Sequence, residues 1–299
     1  MDDRGHLTTE HRNPRTLDFD TLSIGDAVDQ MNAEDATVSG AVAAARDDIC
    51  RAIELVVHAF KNGGRLIYVG AGTSGRLGVL DATECPPTFL TEPEMVQGII
   101  AGGLPALTRS VEGAEDRPED GAAAIDERAI DSCDVVIAIA TGGTTPFVHG
   151  AIGRARQRGA KTVFLACVPR EEVPDGADVS IRVITGPEVL TGSTRLKAGT
   201  ATKIVLNMLT TIAMTQLGKV YENLMIDVNT TANAKLIDRG IRILQTLTSL
   251  SRPEAIELLR RSGGKVKLAL VMHARKVDAA EAEALLASSG GRLRAIRLR

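Results

Sequence analysis

The sequence predicts an α/β protein built on a doubly wound, parallel five-stranded sheet that is flanked by helices and followed by a small C-terminal helical module. Short apolar runs, typical of strands buried on both faces, alternate with longer stretches of helical periodicity. Helical patterns also precede the first apolar run and follow the last one. Hydrophobic residues make up 44% of the 299 residues and charged residues 24%, a composition that excludes a disordered chain.

The predicted elements follow one another in a regular order. Residues 1–20 are polar, and we expect them to be extended or loosely packed. Apolar residues at helical spacing predict two helices over residues 23–60, ended by Asn62-Gly63-Gly64. The apolar runs predict strands at residues 65–70, 95–101, 134–140, 161–166 and 179–184. Further helices are expected at residues 118–130, 146–158, 200–217 and 233–250, and two glycine pairs divide residues 254–299 into three short helices.

Composition and charge narrow the classes of partner. Basic residues number 35 and acidic residues 38, and a net charge of −3 gives no bulk attraction for nucleic acid or an anionic membrane. The polar start lacks the apolar core of a signal peptide, and no apolar run approaches the roughly 20 residues that span a bilayer. Four scattered cysteines form no C-x-x-C pair, so they signal neither zinc nor a disulfide framework. We therefore expect a cytoplasmic protein.

The first predicted strand runs into a glycine-rich loop. Residues 70–75 read GAGTSG and match G-x-G-x-x-G, which alone would favour a dinucleotide fold. The ribose-binding acid of such folds is expected near the end of the second strand, but Ala101-Gly102-Gly103 stands there and removes most support for NAD. The hydroxyls of Thr73 and Ser74, with the amides of a starting helix, instead suit a phosphate monoester. A plain strand–helix turn is the alternative.

Two further segments place glycines and hydroxyls before a helix. Residues 141–146 read TGGTTP and follow the third strand, so two such loops at neighbouring strand ends indicate one phosphate held between them. Residues 192–197 read GSTRLK; they could bind phosphate, a carboxylate or a dimer partner, or form a structural cap with salt bridges. The candidate phosphate- and sugar-binding residues are Gly72, Thr73, Ser74, Gly75, Thr141, Gly143, Thr144, Thr145, Ser193, Thr194, Arg195 and Lys197.

Several longer segments are similar, in order and spacing, to those of one family. LIYVGAGTSGRLGVLDATECPPTF at residues 66–89, SVEGAED at 110–116 and GPEVLTGSTRLKAGTATK at 186–203 resemble the N-acetylmuramic acid 6-phosphate etherases. LTTEHRN at residues 7–13 and GKVYENLMIDV at 218–228 match the same family. The resemblance implies cleavage of the D-lactyl ether of N-acetylmuramate 6-phosphate to N-acetylglucosamine 6-phosphate and D-lactate, within amino-sugar catabolism and cell-wall recycling.

The resemblance also assigns roles to two glutamates. The proton donor of the family's S/T-E-C-P-P segment is here Glu84, which we expect just after the helix that starts at the first loop and before Pro86-Pro87. The second active-site acid, in E-G-A-E-D, is here Glu115. In the open-chain sugar the C1 aldehyde acidifies the C2 proton, so one base, one acid and a returning water suffice. We expect no metal and no redox cofactor.

One segment departs from the family pattern. The family usually has a serine and an arginine in the second loop, roughly A-A-S-G-R-T-P-Y. This chain reads A-T-G-G-T-T-P-F and places Gly142 and Thr144 at those positions. Thr141 or Thr144 could take over the phosphate contact of the serine.

The resemblance implies a sugar isomerase (SIS) fold, a UBA-like character for the C-terminal module and a homodimer. The expected organisation is an N-terminal helical arm over residues 1–60, a sugar-phosphate-binding domain over 61–225, a helical connection over 226–252 and a three-helix module over 253–299. Two other functions stay open. A non-catalytic, sugar-phosphate-sensing regulator of the glucokinase-regulatory-protein type shares the GSTR signature, although those chains carry two tandem sugar isomerase domains. A sugar-phosphate isomerase would use the same fold.

Overall fold

A computed structural model describes residues 3–231 and 233–296. Residues 1–2 and 297–299, the outer ends of the segments expected from the sequence, lie outside the described residues. The chain divides into two compact units, Met1–Thr83 with Glu94–Thr210 and Glu84–Pro93 with Thr211–Arg299. The four-segment organisation stays a prediction. Within the described residues, no helix has both the length and the apolar character needed to cross a bilayer.

Five parallel strands form the centre of the first unit, in the order β2-β1-β3-β4-β5. They are β1 (Leu66–Gly70), β2 (Val96–Ile100), β3 (Val135–Ile139), β4 (Lys161–Ala166) and β5 (Val179–Arg182). Each strand falls within a predicted apolar run, so the predicted parallel five-stranded sheet is confirmed. The prediction succeeds because strands covered on both faces need apolar side chains at nearly every position.

Seven α-helices occur within residues 3–216. They are α1 (Ile24–Asp35), α2 (Val38–Ala44), α3 (Arg46–Lys61), α4 (Gly72–Phe89), α5 (Pro118–Glu127), α6 (Pro146–Gln157) and α7 (Lys197–Gln216). The prediction of two helices before β1 is wrong, because the structure has three. Ala45, at φ −87° and ψ 9°, leaves the helical conformation between α2 and α3 without a glycine or proline to mark the break.

Helices cover both faces of the sheet. One face carries Ile67, Val69 and Phe164, and these side chains share an apolar cluster with residues of α5 and α6. Helix α4 lies on the opposite face, where a Cβ on Gly78 would stand only 2.8 Å from the Cβ of Tyr68. A sheet with helices on both faces is doubly wound, as the sequence predicted.

Residues 3–20 are not loosely packed. Leu7 is only 1% exposed and belongs to the apolar cluster on the α5–α6 face of the sheet. Asn13 is buried as well, and its Nδ2 donates a hydrogen bond to Oε2 of Glu34 at 2.9 Å. For the described residues 3–20 the expectation is wrong, because this part of the segment is held largely by hydrogen bonds of buried polar groups, which hydrophobic periodicity does not report.

The second unit contains a helical module with its own apolar cluster. Its helices are α8 (Ala234–Thr248), α9 (Arg252–Arg261), α10 (Val266–Arg275), α11 (Ala279–Ser288) and the single turn α12 (Leu293–Ile296). The sequence predicted three helices after residue 253, whereas the described residues form four. The extra break is at Lys276, which adopts a left-handed conformation with φ 54° although it is not a glycine.

Candidate active site

The strand order places a natural ligand site between β1 and β3. The chain leaves β1 toward one face of the sheet and β3 toward the other, so their carboxyl ends flank a crevice. The glycine-rich loops that the sequence singled out follow these two strands. The sheet topology therefore brings the two candidate phosphate loops together.

The first loop is built on close approach between backbone segments. A Cβ on Gly70 would lie 2.6 Å from the backbone nitrogen of Gly75, and a Cβ on Gly75 would lie 2.6 Å from Cγ1 of Ile100. Gly72 opens helix α4 with φ +51°. These glycines allow the hydroxyls of Thr73 and Ser74 to stand at the start of α4, next to its unpaired amides.

The second loop is fixed by hydrogen bonds at several points. The carbonyl of Thr141 accepts from the backbone N–H of Cys167 at 2.8 Å. The carbonyl of Gly143, a residue with φ +81°, lies 2.6 Å from Nε2 of His149, which donates to it. Thr145 precedes α6 but its side chain does not cap the helix, so its hydroxyl remains available to a ligand. Its carbonyl accepts from the N–H of Val148 at 3.1 Å, which fixes the turn into α6.

The third segment, residues 192–197, ends at a buried lysine that lies beside two buried glutamates. Glu188 is fully buried and accepts from the backbone nitrogens of Lys197 and Ala198, both at 2.9 Å, so it caps α7. Burial raises the pKa of Glu188 above its ordinary value, although these two hydrogen bonds oppose the rise. The ammonium of Lys197 is 0% exposed and donates to Glu34 at 2.7 Å. Lys197 therefore has the structural salt bridge that was the alternative for this segment.

Glu115 belongs to an acidic turn beyond β2. The turn is the 3-10 helix Ala114–Asp116, entered through Gly113 with φ +73°. At Gly102, a Cβ would lie 2.9 Å from the Cβ of Val111, so the glycine after β2 lets the acidic segment pack against the strand end. A dinucleotide fold would carry its ribose-binding acid at the end of β2. In this chain, the glycine at that place lets the acidic turn approach the loops with Glu115.

One polar cavity of about 290 Å³ joins these parts in the first unit. The sequence-predicted residues that line it are Gly72, Thr73, Ser74, Glu115, Thr141, Thr144, Thr145 and Thr194. Gly75, Gly143, Ser193, Arg195 and Lys197 do not line it: the two glycines shape their loops, Arg195 is exposed, and Lys197 is buried beside Glu34. Within the described residues, no group of three His, Cys, Asp or Glu side chains is arranged to hold a metal ion.

Three lining residues come from a segment that sequence reasoning left out. Arg4, Leu7 and Glu10 all border the cavity. Glu10 also approaches the third segment, since its Oε2 lies 3.0 Å from where a Cβ on Gly192 would be. The available signal was the family-like stretch LTTEHRN, which contains Leu7 and Glu10 but was not assigned a role. Arg4 lies outside that stretch.

Glu84 lies on helix α4, in the part of the chain assigned to the second unit. The expectation that the helix ends before Glu84 is wrong, because α4 continues through Pro86 and Pro87 to Phe89. The carbonyls that follow are satisfied from outside the helix, by Lys219 Nζ at 2.9 Å from the Phe89 oxygen and by a backbone N–H on the Pro87 oxygen. Glu84 itself is exposed and is not among the residues lining the cavity.

A buried carboxylate holds α4 in place within the first unit. Asp81 accepts hydrogen bonds from Tyr68 Oη at 2.9 Å, from Asn207 Nδ2 at 2.8 Å and from Thr210 Oγ1 at 3.2 Å. It thereby links α4 to β1 and α7. Burial raises the pKa of Asp81, and the three hydrogen bonds oppose that rise.

Comparison with known proteins agrees with this arrangement. The SIS domain model matches residues 118–212, and the model of the glucokinase regulatory protein N-terminal SIS domain matches residues 48–156. The N-acetylmuramic acid 6-phosphate etherase of Crocosphaera subtropica is 59% identical, over 99% of this chain and 96% of its own length. The chain belongs to the N-acetylmuramic acid 6-phosphate etherase family. An etherase of Rippkaea orientalis is likewise 59% identical, over 98% of this chain and 96% of the relative.

The comparison with solved structures is more distant. A phosphoheptose isomerase from Neisseria gonorrhoeae is 16% identical and has a TM-score of 0.48, covering 64% of this chain and 100% of that chain. The sugar isomerase assignment rests on the family match to residues 118–212 together with the observed parallel sheet.

Proposed function

We propose that this chain cleaves the D-lactyl ether of N-acetylmuramate 6-phosphate and releases N-acetylglucosamine 6-phosphate and D-lactate. The observation that carries the proposal is the etherase name of relatives that are 59% identical over nearly the full length of both chains. The enzyme is a carbon–oxygen lyase of amino-sugar catabolism and peptidoglycan recycling. The full-length match favours this activity over a regulator with two tandem sugar isomerase domains.

The phosphate of the substrate is held by the two loops that follow β1 and β3, in the crevice between the carboxyl ends of these strands. Hydroxyls of Thr73, Ser74, Thr144 and Thr145 line one cavity, beside the starts of α4 and α6. A phosphate ester accepts hydrogen bonds from hydroxyls and from helix-terminal amides, and the helix dipoles favour its negative charge. Glu115 lines the same cavity, so a bound sugar phosphate would lie beside a carboxylate.

The chemistry needs one base and one acid. A base removes the C2 proton, which the C1 aldehyde of the open-chain sugar acidifies, and the electron pair forms the C2–C3 double bond. The C3–oxygen bond breaks, and an acid protonates the departing lactate oxygen. Water then adds to C3 and a proton returns to C2. We assign the base role to Glu115, which lines the cavity, and, on the family motif alone, the acid role to Glu84; each would contribute roughly 10²–10⁴-fold to the rate.

Substitution of each glutamate tests these roles. Glu84→Gln and Glu115→Gln should each lower lactate release from N-acetylmuramate 6-phosphate by about 10²–10⁴-fold, because glutamine cannot exchange a proton at neutral pH. Glu119→Gln is the matched control, since Glu119 is an exposed member of the same acidic stretch, is paired with Arg117 and does not line the cavity. If the wild-type chain released no lactate, the etherase proposal would be wrong; if Glu115→Gln still exchanged the C2 proton with solvent, the base assignment would be wrong.

A homodimer completes the proposal. Helix α1 presents Ile24, 87% exposed, and Val28, 60% exposed, one helical turn apart on a single face. Large apolar side chains grouped in this way are typical of surfaces that another chain covers. A solution mass of twice 31.6 kDa is the expected result, and a mass of 31.6 kDa would contradict it. We place the enzyme in the cytoplasm, where scattered cysteines stay reduced.

A further inference from the structure

The cavity has an unusual balance of charge for a site that binds an anion. Glu10, Glu115 and Asp116 line it, whereas Arg4 is the one basic residue that lines it within the described part of the chain. The proposed substrate carries two anionic groups, a phosphate and the carboxylate of its lactyl ether. Hydroxyls and helix-terminal amides of the two loops suit the phosphate. The carboxylate has no comparable set of donors in the loops.

The backbone around Arg4 is anchored. The carbonyl of Arg4 accepts from the N–H of Leu7 at 3.0 Å, and Leu7 is buried in the apolar cluster on the α5–α6 face. The N–H of Thr8 donates to Oε2 of Glu172 at 2.8 Å, and Thr9 is fully buried. These contacts fix the turn from Arg4 to Leu7 at the edge of the cavity, while the Arg4 side chain stays exposed to an entering ligand.

A second observation concerns the loop after β3. Thr144 lines the cavity, and residues 141–146 of this loop read TGGTTP, without a charged side chain. In this chain the loop after β3 therefore brings no cation to the cavity, and Arg4 brings one from the start of the chain. An arginine holds a planar carboxylate through two parallel N–H···O hydrogen bonds, a geometry that fits a carboxylate better than a hydroxyl loop does.

We propose that Arg4 is a specificity-determining residue that binds the lactyl carboxylate of the substrate. This inference rests on the proposed etherase function. It separates two tasks in one cavity: the loops hold the phosphate that substrate and product sugar share, and Arg4 recognises the group that only the substrate carries. A sugar phosphate without the lactyl group gains nothing from Arg4.

The test compares binding of N-acetylmuramate 6-phosphate and N-acetylglucosamine 6-phosphate by calorimetry. All chains carry Glu115→Gln, so that the substrate survives the measurement. Adding Arg4→Gln should weaken the muramate ligand about tenfold and leave the glucosamine ligand within about twofold, as expected for loss of a hydrogen bond between charged groups. Arg4→Lys, which keeps the charge but not the two-pronged geometry, should weaken the muramate ligand less than Arg4→Gln does.

Arg12→Gln is the matched control, because it removes the same charge from an exposed position on the same segment that does not line the cavity. It should change neither dissociation constant. Equal weakening of both ligands by Arg4→Gln would assign Arg4 to the phosphate and overturn the proposal, as would no weakening of either. If the chain bound both sugars but the wild type released no lactate, the etherase function would be wrong. The effect of Arg4→Gln on the ratio of the two sugars' dissociation constants would still decide the role of Arg4. Binding of neither sugar would overturn both.

Discussion

Two adjacent glycines in the loop after β3 have different backbone requirements. Gly143 has φ +81°, and a Cβ there would lie 3.0 Å from the side chain of Val173. Gly142 is not among the glycines with positive φ, and a Cβ there would meet only Oγ1 of Thr9, at 3.6 Å. That hydroxyl is buried and finds no hydrogen-bond partner within the described residues. Gly142 thus leaves room for a serine side chain.

Gly142→Ser should therefore fold normally, with an unfolding free energy within about 0.5 kcal/mol of the wild type. Its hydroxyl would face the cavity or Thr9, so the KM for N-acetylmuramate 6-phosphate should stay the same or fall. Gly143→Ser is the matched control, and it should lose about 1–3 kcal/mol because a side chain at positive φ is strained. Urea denaturation and lactate release measure both. A Gly142→Ser chain as unstable as Gly143→Ser would contradict this description of the loop.

The sequence identified most of the cavity's hydroxyls, and the family resemblance identified Glu115, but neither identified Arg4 as a lining residue. Thr73, Ser74 and Thr144 were predictable because a hydroxyl at a strand–helix junction can do little except cap the helix or bind an anion. The roles of Arg4 and Lys197 were not predictable, since both are cations that neighbour polar residues in the sequence. Only tertiary structure decides that Lys197 is buried against Glu34 while Arg4 borders the cavity.

Helix α1 and the start of helix α7 are joined by a buried ion network. Glu34 on α1 is 4% exposed and binds Lys197, Arg15 and Asn13. Hydrogen bonding from Arg15, aided by Lys197 and Asn13, lowers the pKa of Glu34 from 4.5 to about 2 against the effect of burial. A carboxyl whose pKa is lower in the folded state stabilises the fold at pH values above its pKa in the unfolded chain. This contribution is lost as the pH falls through the folded-state pKa of about 2. At neutral pH it amounts to about 2–3 kcal/mol.

Glu34→Gln should lower the unfolding free energy at pH 7 by about 3 kcal/mol, because it leaves the buried Lys197 ammonium without its counter-charge. The stability of the variant should also depend less on pH between 5 and about 2 than that of the wild type. Urea denaturation across this range measures both effects. Glu257→Gln, which breaks an exposed ion pair with Arg260, is the control and should change little. A Glu34→Gln chain with wild-type stability would show that the ion network does not stabilise the contact between α1 and the start of α7.

Strands were easier to predict than helix ends. Every strand lies inside its predicted run because both faces of the sheet are covered. The helix boundaries at Ala45 and Lys276 carried no signal, since neither residue is a glycine or proline. Pro86 and Pro87 gave a misleading one, because α4 continues past them and groups outside the helix satisfy its last carbonyls. At the end of α4, contacts from outside the helix thus overrode the local preference of the two prolines.

The organisation of the chain follows from what each part must bury. Residues of the first unit place the phosphate loops, the acidic turn and the N-terminal segment around one cavity, and the second unit has an apolar cluster of its own. The parallel sheet and the position of the phosphate loops followed from periodicity and glycine placement. The packing of residues 3–20 could not be predicted from periodicity, because buried hydrogen bonds and ion pairs hold much of it.

The central claim is that the C3–oxygen bond of the ether breaks and that water supplies the new oxygen at C3. Turnover of N-acetylmuramate 6-phosphate in ¹⁸O-labelled water tests it directly, with mass spectrometry of both products. Because the C3–oxygen bond breaks, lactate keeps the ether oxygen and the solvent oxygen enters the sugar. We predict ¹⁸O at C3 of N-acetylglucosamine 6-phosphate, measured on a fragment that lacks the solvent-exchangeable C1 oxygen, and unlabelled D-lactate. Solvent ¹⁸O in the hydroxyl of lactate, with an unlabelled C3 hydroxyl in the sugar, would mean that the lactyl carbon–oxygen bond is the one that breaks and would contradict the account.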